Sequence, residues 1–206
     1  MKRTFLHRGL SAALFGILCL CMAVPALAAA PDRFDPDANY MFFMQECCMS
    51  GDFAEGEKLE RLRNLKIEQM GMSEPQISFS DLFLLSKLIA SEAGSSWLSL
   101  DWKMAVGEVL LNRVASPEFP DTIESCIYAP SQYSAVSAGI FPFILPDESS
   151  VVAAARLLSG ERVLNDSSVV FQSNFRQGEV FLVLHDDYLG DTYLCRSSHP
   201  ERYTQS

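Results

Sequence analysis

The feature that most constrains the fold is an apolar helical stripe that ends in a carboxylate. Between about Asp81 and Ala93, large apolar residues recur at spacings of three and four. They are Leu82, Leu85, Leu88 and Ile89. This is the periodicity of a helix that buries one face. One further step along that face reaches Glu92, and Gly94 is placed to end the helix. The pattern predicts a half-buried glutamate at a helix C-terminus.

Two physical effects would raise the pKa of this glutamate. Burial disfavours the charged form, and a helix C-terminus carries negative partial charge that repels an anion. A carboxyl group that keeps its proton to higher pH is suited to general acid catalysis. The same pattern also fits a salt-bridged or solvent-reaching glutamate at a helix end, and periodicity alone does not choose between the two.

Residues 1–28 are predicted to be a signal peptide. Three basic residues precede an apolar stretch over about 10–24, and Ala26 and Ala28 form a small-x-small cleavage site. An uncleaved membrane anchor is the alternative, and export is expected in either case. The 178 residues that remain carry 13 basic and 26 acidic side chains, a net charge of −13. Such an acidic protein is a poor candidate for binding nucleic acid or an anionic membrane.

The remaining chain divides into an N-terminal leader with a helical pair over 29–75 and a main domain over 76–206. The pair comprises predicted helices at about 38–49 and 54–70, the second of them amphipathic. Two short helices are too small to be stable alone. We therefore expect them to pack on the main domain or on an accessory protein.

The main domain is predicted to be α+β, mainly helical with a small C-terminal antiparallel sheet. Ser99 can cap the second helix, and Asp147 can cap a later one over Glu148–Ser159. Between them, Pro117 and Pro120 are expected to impose an ordered loop. The period then changes to that of strands. The β-rich segments are Val169–Phe171, Val180–Leu184 and Thr192–Leu194.

Few other groups could support catalysis. A zinc amidase needs histidine and carboxylate ligands around an open metal position, but only His185 and His199 remain after the signal. A Cys–His peptidase would depend on Cys195, which is near His199 in sequence. We therefore predict no metal and no cofactor. Four cysteines could form disulfides in three pairings or remain buried thiols. They are Cys47, Cys48, Cys126 and Cys195.

Four sequence blocks occur in order along the main domain. They span residues 85–94, 104–114, 116–123 and 127–134. Together they resemble the SleB/CwlJ type of cell wall hydrolase, the spore-cortex-lytic enzymes and their vegetative relatives, over roughly residues 80–200. The resemblance implies a lysozyme-like fold and peptidoglycan glycan strands as substrate. It also implies that Glu92 is the single acid that protonates the bond between N-acetylmuramic acid and N-acetylglucosamine.

The sequence departs from the family pattern at two places. The family often continues its glutamate as Glu-Ala-Arg-Gly-Glu-Pro, whereas this chain continues Glu92 as Ala-Gly-Ser-Ser and then Trp97. Ser131 stands where the family usually has a glycine before a glutamine–aromatic pair. Both departures bear on the shape of the substrate groove rather than on the acid.

Five residues are candidate substrate contacts. Gln132 and Tyr133 fall in a proline-led loop, where polar and aromatic groups can line a sugar groove. Trp97 could stack on a sugar ring, and Tyr193 lies in the predicted closing strand. Asn112 is expected to be half-buried and hydrogen-bonded, either to the substrate or to a loop or helix end that it pins.

The residue inventory fits one mechanism best. Ordinary glycosidases need two carboxylates, but a lytic transglycosylase needs one, because the muramic 6-hydroxyl attacks its own anomeric carbon. We interpret the nearby Asp101 and Glu108 as structural. The sequence therefore predicts an exported peptidoglycan-cleaving enzyme. An N-acetylmuramoyl-L-alanine amidase and a non-catalytic wall-binding protein of the same fold are the alternatives.

Overall fold

The computed structural model describes residues 36–203. The predicted signal peptide and most of the leader lie outside this range. Within it, no helix is long and apolar enough to cross a membrane. The helices are α1 Pro36–Ser50, α2 Phe53–Met70, α3 Phe79–Ala93, α4 Leu100–Ala115, α5 Ile123–Tyr128, α6 Ser134–Ser137 and α7 Glu148–Leu158. The strands are β1 Val169–Ser173, β2 Val180–Asp186 and β3 Gly190–Arg196, and short 3-10 helices span Phe141–Phe143 and Pro200–Arg202.

The three strands form one antiparallel sheet in the order β1-β3-β2. In the central strand, Cys195 is paired with Phe171 of β1, and Tyr193 is paired with Val183 of β2. The sheet packs its apolar face on α4, where Val169 meets a small cluster that includes Val109. The predicted α+β class, mainly helical with a small C-terminal antiparallel sheet, is confirmed.

The core lies where α3, α4 and α7 pack together. All four residues of the predicted stripe on α3 have no exposed surface. At Gly107 of α4, an added Cβ would lie 2.6 Å from Leu157 Cδ1 and 2.8 Å from Ile89 Cδ1. Contacts this short are not tolerated in a packed interior. Only glycine at this position lets the three helices approach so closely.

Capping side chains fix where the central helices begin. Ser78 accepts a hydrogen bond from the Asp81 amide, so it caps α3. Ser99 caps α4 and Asp147 caps α7 in the same way, as the sequence predicted. Each cap satisfies a backbone N–H that has no partner inside its helix.

The N-terminal helical pair packs on α3 and α7 in the same compact unit as the rest of the described chain. Arg63 of α2 is buried, and its Nε donates to Asp37 Oδ1 at 2.6 Å while Nη2 donates to the Pro75 carbonyl at 2.9 Å. Glu60 accepts a hydrogen bond from the Phe79 amide at 2.8 Å. These bonds tie the segment before α3 to α2. A domain boundary at residue 75 remains a prediction.

The expected loop after α4 is partly helical. The chain leaves α4 at Ala115, as Pro117 and Pro120 predicted, but it then forms α5, α6 and the first 3-10 helix. Helices of four and six residues have too few turns to show an apolar period. The start of α5 is a capping box in which Thr122 is paired with Ser125, where the usual signature has glutamate or glutamine.

The four cysteines of the described chain are buried free thiols, which agrees with one of the two alternatives left open by the sequence. Burial raises the pKa of Cys48 to about 12. Cys126 donates to the Pro120 carbonyl at 2.9 Å. These thiols therefore act as small packing residues.

Glu108 is a buried carboxylate that holds a loop in place. Its Oε2 accepts hydrogen bonds from the backbone N–H groups of Val163 at 2.6 Å and Leu164 at 2.9 Å. Its Oε1 accepts a third from Asn165 at 3.2 Å. The carboxylate thus joins α4 to the segment between α7 and β1, which supports the structural interpretation made from the sequence.

We predict that Glu108→Ala destabilises the protein by about 3 kcal/mol or more, because it leaves three backbone N–H groups without their acceptor. Urea unfolding followed by circular dichroism measures the change. The control is Glu57→Ala, which removes an exposed carboxylate from α2 and should change stability by at most about 0.5 kcal/mol. Equal effects of the two substitutions would contradict an anchoring role for Glu108.

Candidate active site

Glu92 is the penultimate residue of α3 and is half-buried. Ile89, three residues before it, is fully buried, and Ala93, directly after it, is 2% exposed. Gly94 is the C-cap, as predicted, but with a right-handed backbone at φ −73°. Its role is steric, since an added Cβ would collide with the Ala90 carbonyl oxygen. The glutamate therefore lies on the rim of the core, at the end of a well-fixed helix.

Opposing effects act on the pKa of Glu92, and burial is the largest. Desolvation raises the pKa, while the Arg113 guanidinium and the side chain of the neighbouring Ser91 lower it. The net result is a raised pKa, which confirms the predicted direction. The carboxyl group thus keeps its proton to higher pH than a free glutamate, whose pKa is about 4.3. It also has a cation close enough to act on its ionised form.

Arg113 is held rigidly on α4 and is 4% exposed. Its Nε donates to the Val170 carbonyl at 2.6 Å, and its Nη1 donates to the Tyr133 hydroxyl at 2.9 Å. The guanidinium carbon lies 5.4 Å from the ring centroid of Phe119 and 5.3 Å from that of Tyr133. A cation over aromatic faces is stabilised by their quadrupoles. The charge beside Glu92 is therefore fixed in position.

Tyr133 lies inside the cluster rather than on an open groove wall. Its side chain is 8% exposed, and burial raises its pKa to about 12, with the charge of Glu92 acting in the same direction. The hydroxyl therefore stays neutral and serves as the acceptor for Arg113. Glu92, Arg113 and Tyr133 form one electrostatically coupled group, which we call the Glu92 cluster.

The turn that carries Tyr133 contains a left-handed residue. Ser131 has φ 62°, a conformation that favours glycine. This accounts for the glycine usual in the family at this position, and a serine here costs about 1 kcal/mol of backbone strain. Gln132 is half-buried, and its backbone N–H donates to the Ala129 carbonyl at 3.3 Å.

Asn112 pins a turn, which is one of the two roles left open by the sequence. Its Nδ2 donates to the carbonyls of Asp166 and Val169, both at 3.0 Å. The side chain is 7% exposed. The pinned segment leads into β1 and is not the Glu92 helix end. With its amide nitrogen engaged by the backbone, Asn112 positions the sheet against α4.

The remaining two candidates lie on the β-sheet side of the molecule. Trp97, in the loop between α3 and α4, donates from Nε1 to Asp186 Oδ2 at 3.0 Å. Tyr193 of β3 donates to Asp191 Oδ2 at 3.1 Å, and its ring lies 5.7 Å from the guanidinium carbon of Arg176. The structure thus places Tyr133 in the Glu92 cluster and Trp97 beside the turn between β2 and β3.

Arg113 is a member of the site that the sequence did not single out. The residue belongs to the second family-like block, beside Asn112, but nothing local shows that its guanidinium reaches the glutamate of another helix. The available signal was a basic side chain in the last turn of a mostly apolar helix. Its partners come from β1 and from the turn before α6, so its role depends on the tertiary fold.

His185 and His199 are both exposed. His185 Nδ1 lies 2.7 Å from Asp191 Oδ1 and its Nε2 lies 3.5 Å from Asp187 Oδ1; these carboxylates raise its pKa. His199 lies 3.5 Å from Glu201. Within residues 36–203, no group of three histidine, cysteine or acidic side chains is placed to hold a metal ion.

Comparison with known proteins supports the family resemblance. Residues 99–180 match the family model described as Cell Wall Hydrolase. A spore cortex-lytic enzyme of Halalkalibacterium halodurans is 33% identical over 85 residues, which is 41% of this chain and 24% of that relative's length. The matched family segment begins after Glu92 and Trp97 and ends before Tyr193.

Two solved structures are also similar to this chain. The catalytic domain of the Bacillus cereus SleB protein has 23% identity and a TM-score of 0.45, covering 58% of this chain and 91% of that one. The catalytic domain of the germination-specific lytic transglycosylase SleB from Bacillus anthracis has 21% identity and a TM-score of 0.46, covering 58% and 97%.

The match of residues 99–180 to the cell wall hydrolase family model confirms the family resemblance drawn from the sequence. This segment contains Asn112, Arg113 and Tyr133. It therefore supplies the cation and the hydroxyl of the Glu92 cluster, while α3 supplies the carboxyl group.

We predict that Glu92→Gln raises the melting temperature at neutral pH. The folded-state pKa of Glu92 is raised, so the stability contributed by its protonated form is present at low pH and is lost as pH rises through that pKa. Glutamine resembles the protonated form and avoids this loss. Thermal unfolding of both proteins between pH 4 and 8 should show a gain that grows with pH. A variant less stable than wild type at pH 7 would contradict the desolvation argument.

Proposed function

We propose that this protein is an exported lytic transglycosylase that cleaves peptidoglycan between N-acetylmuramic acid and N-acetylglucosamine, with Glu92 as its single acid and base. The observation that carries this proposal is a half-buried glutamate of raised pKa beside a fixed arginine. Such a group can donate a proton and then remain stable as an anion in the same place. These are the two states that the reaction requires of one residue.

The proposed reaction uses each state once. Protonated Glu92 gives its proton to the glycosidic oxygen, the bond from that oxygen to muramic C1 breaks, and N-acetylglucosamine leaves with a free 4-hydroxyl. The muramic 6-hydroxyl then attacks C1 and closes a 1,6-anhydro ring. The Glu92 carboxylate takes the proton of that hydroxyl, which restores the starting enzyme. No water is consumed, and no second carboxylate takes part.

The Glu92 cluster supports both states of the acid. Burial favours the protonated form before the reaction, and the Arg113 charge stabilises the carboxylate after it. Because Arg113 is bonded to Val170 and Tyr133, it does not need to reorganise as charge develops. Preorganised charge of this kind is an effective source of catalysis.

The nearby carboxylates do not supply the second group of an ordinary glycosidase. Both oxygens of Glu108 accept hydrogen bonds from backbone N–H groups, so this side chain is engaged in the fold. Asp101 is exposed in the first turn of α4, where a negative charge stabilises the helix start. A single-carboxylate mechanism fits this arrangement better than one that needs a pair.

The alternatives have weaker support. An amidase would use His185 and His199, but both are exposed and each is paired with its own carboxylates. A Cys–His peptidase would use Cys195, which is fully buried in β3. A non-catalytic wall-binding protein would have no need of an acid with a raised pKa. The relative named as a spore cortex-lytic enzyme makes spore cortex the first substrate to test.

We predict that Glu92→Gln abolishes digestion of purified peptidoglycan, because it removes the transferable proton and little volume. Mass spectrometry of the wild-type products should show 1,6-anhydromuramic ends. Glu68→Gln, an exposed change on α2, is the control and should retain activity. Reducing ends would indicate hydrolysis instead, and freed peptides together with loss of activity on chelation would indicate an amidase. Substantial activity in Glu92→Gln would refute the assignment of the acid.

We also predict that Ser91→Ala moves the alkaline loss of activity to higher pH. The Ser91 side chain, whose hydroxyl donates to the Leu88 carbonyl at 2.8 Å, lowers the pKa of Glu92, so replacing it with alanine raises that pKa further. A group needed in its acid form then stays active to higher pH. Ser80→Ala, at the other end of the same helix, should leave the pH profile unchanged. A shift to lower pH in Ser91→Ala would show that another group limits the alkaline rate.

A further inference from the structure

An exposed aromatic pair lies on the surface between the loop after α3 and the turn between β2 and β3. Trp97 is 61% exposed and Tyr188 is 88% exposed. Their ring centroids are 6.2 Å apart, with the ring planes at 66°. The two side chains come from elements far apart in sequence, so the pair is a product of the tertiary fold.

Asp186 holds both members of this pair. Its Oδ2 accepts the Trp97 Nε1 hydrogen bond at 3.0 Å. Its Oδ1 accepts the backbone N–H groups of Tyr188 and Leu189, both at 2.9 Å, which closes the turn. These bonds lower the pKa of Asp186 and keep it an anion. One carboxylate therefore fixes the indole and the tyrosine-bearing turn together.

The loop that carries Trp97 is also anchored. Ala93 and Leu98, on either side of Trp97, are buried in a small cluster with Val106. The Leu98 amide donates to the Ser95 carbonyl at 3.2 Å. The indole is thus exposed on a fixed loop rather than on a loose one. Single exposed apolar side chains are common. Here, two exposed aromatic side chains are held together by one carboxylate across two anchored loops, which indicates a preformed binding surface.

This surface is close to the Glu92 cluster along the chain. Trp97 follows Glu92 by five residues, and five extended residues span at most about 18 Å. The Trp97 backbone therefore lies within about 18 Å of that of Glu92, which is within reach of the sugars that flank a bond held at Glu92.

We propose that Trp97 and Tyr188 form a saccharide-binding platform that holds the glycan strand beside Glu92, with Asp186 as its positioning residue. Pyranose rings present an apolar C–H face, and aromatic rings present a negative face, so the two stack. This proposal rests on the proposed function for its substrate class. It adds the turn between β2 and β3 to the substrate-binding surface.

The test measures binding of peptide-free glycan strands of alternating N-acetylglucosamine and N-acetylmuramic acid. The full chain carrying Glu92→Gln is the parent, so that the ligand is not consumed, and affinity is measured by calorimetry. Adding Trp97→Ala or Tyr188→Ala should weaken binding about fivefold each. The matched control is Phe43→Ala, since Phe43 is 52% exposed and also belongs to an edge-to-face aromatic pair, with Phe42 on α1. It should bind like the parent.

The positioning role of Asp186 has its own readout. Asp186→Ala should weaken binding about as much as Trp97→Ala, and the double variant should be little worse than either single one, because the two residues act through one contact. Glycan should also change the tryptophan fluorescence of the parent, and Trp97→Ala should remove that change. Additive losses would contradict the role of Asp186. Unchanged melting temperatures will show that the variants fold.

The outcomes separate this proposal from the enzymatic one. If wild type releases anhydromuramic products but Trp97→Ala and Tyr188→Ala bind glycan like the parent, the platform is wrong and the transglycosylase stands. If both variants weaken binding but wild type digests nothing, the platform stands and the enzyme assignment fails. Equal weakening by Phe43→Ala, or no binding by the parent at millimolar glycan, would overturn the platform.

Discussion

The close crossing of α3, α4 and α7 at Gly107 is the constraint on which the site depends. Ile89 and Leu157 fill the space that any larger side chain would need, so the helix axes approach as only glycine allows. Glu92 lies less than one turn beyond Ile89 on α3, and Arg113 lies less than two turns beyond Gly107 on α4. A crossing at a greater distance would separate the carboxyl group from the guanidinium. The packing of the core therefore sets the electrostatics of its rim.

The Glu92 cluster balances two opposing effects. Desolvation alone would produce a carboxyl group that resists ionisation, and a close arginine alone would produce a permanent anion. Here burial has the larger effect, while Arg113 limits how far the pKa rises. The arginine itself is fixed by the Val170 carbonyl and the Tyr133 hydroxyl, so strand β1 and the turn before α6 both contribute. Helix α4, strand β1 and the turn before α6 thus act together on the pKa of Glu92.

The sequence predicted what local patterns encode. The stripe on α3, the caps Ser99 and Asp147, and the change of period before β1 each follow from neighbouring residues, and each was found. Strand pairing order, the short helices α5 and α6, and the role of Arg113 were not predicted, because they depend on contacts between distant segments. Asn112 illustrates the limit, since the sequence predicted a hydrogen-bonded side chain but could not choose its partners, which are carbonyls near β1.

The most direct test of Glu92 as the catalytic acid is a measurement of its pKa. Carboxyl ¹³C NMR of the full chain with labelled glutamate gives a titration curve for each Glu, and the resonance missing from Glu92→Gln assigns the one of interest. We expect a midpoint above the value of about 4.3 for a free glutamate, moved higher by Ser91→Ala. A midpoint at or below that value would show that Arg113 outweighs burial, and Glu92 would then be an anion unsuited to protonate the glycosidic bond.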